Sequence, residues 1–167
     1  FPFNAGDKIR SSPAVGDVDN DGVNEVVFGS HDGGLYVISL IGTQKMAYYQ
    51  DGYIVGSPAL FDLDFDGDME IIFTTQLGVD SGKLFAIHHD GTDLEGFPMD
   101  LNERMMVGPA IGDLEKDGIV DIVVCTWGEN IYAIEKSGQV KPGFPFTSTR
   151  RFNSAPTLVD IDNDTSF

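Results

Sequence analysis

Nine residues, Asp17-Val18-Asp19-Asn20-Asp21-Gly22-Val23-Asn24-Glu25, set acids at positions 1, 3, 5 and 9 and glycine at position 6. Carboxylates alternating round a tight turn suit a hard divalent cation such as Ca²⁺, which takes six to eight oxygens in flexible geometry. Glycine belongs where the loop reverses, because it accepts positive φ. The carbonyl at position 7, that of Val23, would add an oxygen. An EF-hand opens with the same acids but needs a bidentate Glu at position 12, between two helices. Position 12 here is Phe28, inside the apolar run Val26-Val27-Phe28, which reads as a strand.

The pattern recurs. Asp62, Asp64, Asp66, Gly67, Asp68 and Glu70 repeat it before Ile71-Ile72-Phe73. Asp113, Glu115, Asp117, Gly118, Ile119 and Asp121 repeat it before Ile122-Val123-Val124. A fourth loop begins at Asp160, Asp162 and Asp164, with Thr165 where glycine is expected and no residue at position 9. Three loops in one register, each feeding a strand, predict cation binding in a β context.

Pro13, Pro58, Pro109 and Pro156 fall 45, 51 and 47 residues apart, each four residues before the first acid of a loop. A fixed period of this size marks a repeat architecture. Each repeat spells a short strand into the loop (Ala14-Val15-Gly16, Ala59-Leu60-Phe61, Ala110-Ile111-Gly112) and a second strand out of it. A turn then leads to a third strand (Leu35-Ile38, Leu84-Ile87, Ile131-Ile134) and a poorer fourth. From the position-9 acid to the third-strand aromatic is 11 residues in repeats one and three but 15 in repeat two. A four-residue insertion is therefore expected near Leu77–Gly82, at a hairpin tip where it costs little. The middle strands are unbroken apolar runs, so burial on both faces is expected. Four-stranded antiparallel sheets repeating at this period describe β-propeller blades, with a solenoid as the other architecture considered. The expected division is 1–10 as the end of a preceding blade, blades at 11–55, 56–106 and 107–152, and 153–167 as the start of another. The Phe-Pro pairs at Phe1, Phe97 and Phe144 each precede a repeat proline by 12 residues, which reads as a segment of a longer chain.

Net charge is −17 over 167 residues. The four loops hold four, five, four and three carboxylates, sixteen of the 27, and the other eleven nearly balance ten Lys and Arg. The acidity is thus local to the loops, where close carboxylates repel unless a cation sits among them. A nucleic-acid partner is excluded for want of a basic footprint. No apolar run reaches the ~18 residues of a membrane span. No signal peptide is visible. Cys125, the one cysteine, reads as a buried small hydrophobe. His31, His88 and His89 read as surface histidines, and no serine sits in a nucleophile elbow. Tyr48, Tyr49, Tyr53, Trp127 and Phe152 could line a carbohydrate-binding face, but packing between blades explains them better.

The run Ser12-Pro13-Ala14-Val15-Gly16-Asp17-Val18-Asp19-Asn20-Asp21-Gly22 and its equivalents from Ser57 and Gly108 resemble the FG-GAP/VCBS repeats of integrin-α-like propellers. The resemblance spans nearly the whole chain. It implies a β-propeller with Ca²⁺ in the loop joining the first two strands of each blade, in an extracellular or cell-surface setting. Carried over by position, the first site would use Asp17, Asp19, Asp21, the Val23 carbonyl and Glu25. The second would use Asp62, Asp64, Asp66, the Asp68 carbonyl and Glu70, and the third Asp113, Glu115, Asp117, the Ile119 carbonyl and Asp121. The longer Glu115 and adjacent Lys116 predict weaker binding in the third.

Two functional classes follow. One is a calcium-stabilised, non-catalytic binding, adhesion or scaffold module whose partner is a protein or a carbohydrate, together with the rest of its own propeller. The other is the propeller portion of a secreted polysaccharide lyase or hydrolase. Paired acids could serve a glycosidase, but here they are spaced for a cation and recur in each repeat.

Overall fold

The protein is described by a computed structural model covering residues 2–159. Three four-stranded antiparallel sheets succeed one another along the chain. The first comprises β1 (Ala14–Gly16), β2 (Glu25–Gly29), β3 (Gly34–Ser39) and β4 (Gln44–Tyr49). The second comprises β5 (Ala59–Phe61), β6 (Glu70–Thr74), β7 (Lys83–Ile87) and β8 (Met99–Asp100). The third comprises β9 (Ala110–Gly112), β10 (Asp121–Cys125), β11 (Asn130–Glu135) and β12 (Phe146–Thr147). In each, sequential strands are neighbours, and no helix forms among the described residues. This is a β-propeller segment, three blades in succession. The expected loop at 160, 162 and 164 lies outside the described residues, as does Phe1.

The middle strands are buried on both faces because successive side chains point to opposite sides of a sheet. In β6, Ile71 and Phe73 face the first sheet and join Val27, Leu35, Val37, Phe85 and Ile87. Ile72 faces the other way and joins Leu84, Ala86, Ile122, Val124 and Ile134 of the second and third sheets. Phe73 and Phe85 stack at 4.8 Å, and Tyr48 of the first sheet meets both edge-on. The core therefore lies between sheets, each layer shared by two blades.

The innermost strands β1, β5 and β9 lie side by side. Close approach there requires glycine: a Cβ on Gly108 would stand 2.1 Å from the Ser57 carbonyl oxygen. At the other junction, between the first and second blades, the Ser12 amide donates to the Ser57 hydroxyl at 3.1 Å. At the rim of the second blade, the Thr75 amide bonds the Lys83 carbonyl, whereas the matching bonds elsewhere are Ser30 to Gly34 and Thr126 to Asn130. The four extra residues of repeat two sit in that hairpin. On the outer face of the first sheet, Phe28 and Tyr36 are closed over by Phe3.

Candidate cation sites in the acidic loops

Each loop is closed by the same set of bonds. The position-1 carboxylate accepts from the position-6 amide: Asp17 from Gly22 (2.8 Å), Asp62 from Gly67 (3.2 Å), Asp113 from Gly118 (2.8 Å). The position-5 carboxylate accepts from the amide at position 7, from Val23, Asp68 and Ile119 in turn. These bonds need a left-handed turn, and Gly22, Gly67 and Gly118 have φ of 86°, 106° and 84°. Position 4 is left-handed too, at Asn20, Phe65 and Lys116, with φ of 53°, 64° and 57°.

The position-9 acid is the anchor. Glu25, Glu70 and Asp121 are each fully buried at the start of the second strand. One oxygen of each accepts from the position-2 amide: Val18 at 3.1 Å, Leu63 at 2.7 Å, Leu114 at 3.2 Å. Val18 and Leu63 are themselves buried in the inter-sheet cores, so loop and core are tied at this point. A buried carboxylate demands a cationic or donor partner for its other oxygen.

The loops differ in how that demand is met. In the first, Lys45 Nζ reaches in from β4 to Asp19 Oδ2 and Asp21 Oδ2, both at 2.9 Å. It also lies 2.8 Å from Glu25 Oε1. Its hydrogen bond, with that of the Val23 amide, holds Asp21 below the usual carboxylate range. In the third, Lys141 Nζ lies 2.8 Å from Asp121 Oδ1 and 2.5 Å from Glu115 Oε2. Burial works to lower the Lys141 pKa, but the bonds to Asp121 and Glu115 outweigh it and raise it. In the second loop, two histidines approach instead: His88 Nδ1 is 3.0 Å from Glu70 Oε1, and His89 Nδ1 is 2.7 Å from Asp68 Oδ2. Burial pushes the carboxyls of both Glu70 and Asp68 up.

Ligand atoms of Asp17, Asp19 and Glu25 converge within 4.8 Å, as do those of Asp62, Asp64 and Asp66, and those of Asp64, Glu70 and His88. Among the described residues the third loop brings no three carboxylates so close. The second loop fits a divalent ion best. It carries five acids, and among the described residues no lysine pairs with them; Asp62 Oδ1 and Asp68 Oδ1 are buried without a hydrogen-bond partner, as Asp19 Oδ1 and Glu25 Oε1 are in the first loop. The first and third do not fit one as they stand, because an ammonium already lies among the oxygens the ion would need. Position-7 amides are placed by the loop bonds above, so Val23, Asp68 and Ile119 lie at the turn in all three.

Sequence reasoning missed the lysines; the second loop's histidines, read as surface residues, are part-exposed and lie against Glu70 and Asp68. The signal for the lysines was available in the repeat register: Lys45 follows Ile38 by seven residues, as Lys141 follows Ile134, and Leu94 follows Ile87. A second missed group is Glu103, which accepts hydrogen bonds from Tyr132 (2.6 Å), Asn130 (2.7 Å) and Thr126. Beside it, Arg104 and Arg151 lie over Trp127 at 4.1 and 5.3 Å. Of the other aromatics, Tyr48 packs between blades and Tyr53 stacks on His31.

No family profile matches the chain, and no curated protein matches it. Among solved structures it is similar to the crystal structure of BBS1N in complex with ARL6DN, soaked with lead, at a TM-score of 0.53 and 10% identity. The match covers 86% of this chain and 56% of that one. The mercury-soaked crystal of the same complex matches with a TM-score of 0.35 and 11% identity, over 86% and 59%. This chain thus spans a little over half the length of those it matches, and the likeness is one of fold.

Proposed function

We propose that this chain is part of a non-catalytic binding or scaffold module, a propeller of the FG-GAP/VCBS type whose acidic loops are locked by cations. Calcium occupies the second loop, held by Asp62, Asp64, Asp66 and Glu70, and the module works outside the cell, where calcium is abundant. One observation carries the reading: in every blade the position-9 acid is buried and bonded to its own loop's amide, so these carboxylates serve the fold. Their spacing and bonding leave them committed to loop closure, which favours a binding role over hydrolysis by a paired-acid mechanism. The partner is a protein or a carbohydrate. A chain of this fold, BBS1N, was crystallised with ARL6DN, so protein partners are the class to test first.

Calcium calorimetry on the wild type and on Asp64→Asn tests the reading. The wild type should bind with a dissociation constant of roughly 10⁻⁴–10⁻³ M, as extracellular calcium modules do. Asp64→Asn should abolish the heat, and chelator should lower the wild-type melting temperature. Heats and melts indifferent to calcium would overturn the assignment.

A further inference from the structure

We propose that Lys45 and Lys141 are the resident cations of the first and third loops, so that an ammonium stands there in place of the divalent ion. For the second loop this rests on the calcium reading above; for the lysines it stands alone.

The two lysines occupy one structural position. In the second and third sheets, Ile87 bridges Asp93 and Ile134 bridges Val140, so Leu94 and Lys141 are the next residues along. In the first sheet Ile38 pairs with Gln44, and Lys45 follows. The β3–β4 register shifts between Val37 and Ile38, which pairs Val37 with Met46 and leaves Lys45 as the extra residue of a bulge. A bulge re-aims a side chain out of the regular alternation. Here it turns Lys45 toward the loop joining β1 and β2.

The chemistry matches. An ammonium has three N–H donors and no acceptor. Lys45 donates to the oxygens of positions 3 and 5 and forms a 2.8 Å ion pair with Glu25 Oε1 of position 9. Lys141 meets positions 3 and 9, and is only 6% exposed. The third loop reverses the lengths of its acids, Glu115 with Asp121 where the first has Asp19 with Glu25, and Lys141 joins that reversed pair. Acid count follows the same division. The blade with leucine at this position has five carboxylates in its loop, and the two with lysine have four. A calcium ion entering beside a fixed ammonium would meet a like charge in a partly desolvated site.

The test counts calcium on the intact protein. The wild type should bind about one ion per chain at millimolar calcium, lost in Asp64→Asn and kept in Asp19→Asn and Asp117→Asn. Lys45→Met and Lys141→Met should each melt lower in chelator, and calcium should restore on the order of 5 °C beyond its effect on the wild type. A wild-type count of about three, with Asp19→Asn and Asp117→Asn each removing one, would overturn the proposal. Lysine variants that melt like the wild type in chelator would overturn it too. If the lysine variants do not fold, the wild-type and aspartate counts still decide. No calcium at all in the wild type, with lysine variants that melt lower in chelator, would refute the second-loop reading and leave the lysine assignment standing.

Discussion

Replacing Lys141 by methionine keeps most of the stem and removes the charge. Asp121 is fully buried and would then keep one donor, the Leu114 amide at 3.2 Å. Glu115, whose side chain is 57% exposed, would turn to solvent at little cost. The loss is therefore that of an uncompensated buried carboxylate, about 3 kcal/mol. For a chain of this length that is a fall in Tm of roughly 9 °C. Asp121→Asn alone leaves Lys141 buried with only Glu115 and should cost about 2 kcal/mol. The double variant replaces the pair by two neutral groups and should also cost about 2 kcal/mol, so the coupling is about 3 kcal/mol. Urea denaturation of the four proteins in chelator, followed by circular dichroism, measures it. Additive single losses, or a Lys141→Met variant as stable as the wild type, would refute the reasoning.

At the junction of the second and third blades, Gly108→Ala sets a methyl group 2.1 Å from the Ser57 carbonyl oxygen and should cost at least about 2 kcal/mol in urea denaturation. An unchanged midpoint would show that the inner strands are not so close. Phe65 holds φ of 64° at an exposed loop position. The Lys136 ammonium lies 5.3 Å over its ring. Phe65→Asn should relieve about 1 kcal/mol of backbone cost and lose about 0.5 kcal/mol from that contact, a small rise in Tm. A fall would place the ring's contacts above the backbone cost. Burial and the bond to Glu103 push the Tyr132 phenol up to about 12, from near 10 when unfolded. Its stabilisation is whole below the unfolded value and is lost as pH rises through the folded one. Tyr36 and Tyr48 are raised as well, so absorbance titration of phenolate should show a late phase of three tyrosines, of which one tyrosine's share moves earlier in Glu103→Gln; five tyrosines titrating together would contradict it.

The blades were legible because their signals are local. Acids at alternate positions, a glycine at the reversal and an apolar strand behind them all lie within a dozen residues. The insertion in repeat two was legible for the same reason, as a change of spacing between two fixed marks. What occupies the loops was not. Lys45 reaches Asp19 across 26 positions of chain, and its direction depends on a register shift that no pattern of polarity announces. His88 follows directly on β7, and only the β6–β7 pairing brings it to Glu70. The left-handed turn at Phe65 and Lys116 was hidden as well, since neither residue type favours it. Asn20, the first-loop equivalent, does.

The layers between sheets have a consequence for how such a chain can be built up or cut down. The unit that recurs in the sequence is a sheet with its loop, but the unit that excludes water is a pair of facing sheets. The two are offset by half a period. A lone blade would carry Ile71 and Phe73 bare on one side and Ile72 bare on the other, so duplication adds stability only when the new copy docks on an old one. The minimal self-standing fragment is then a doublet. Drift in one copy is answerable to its neighbour's side chains rather than to its own.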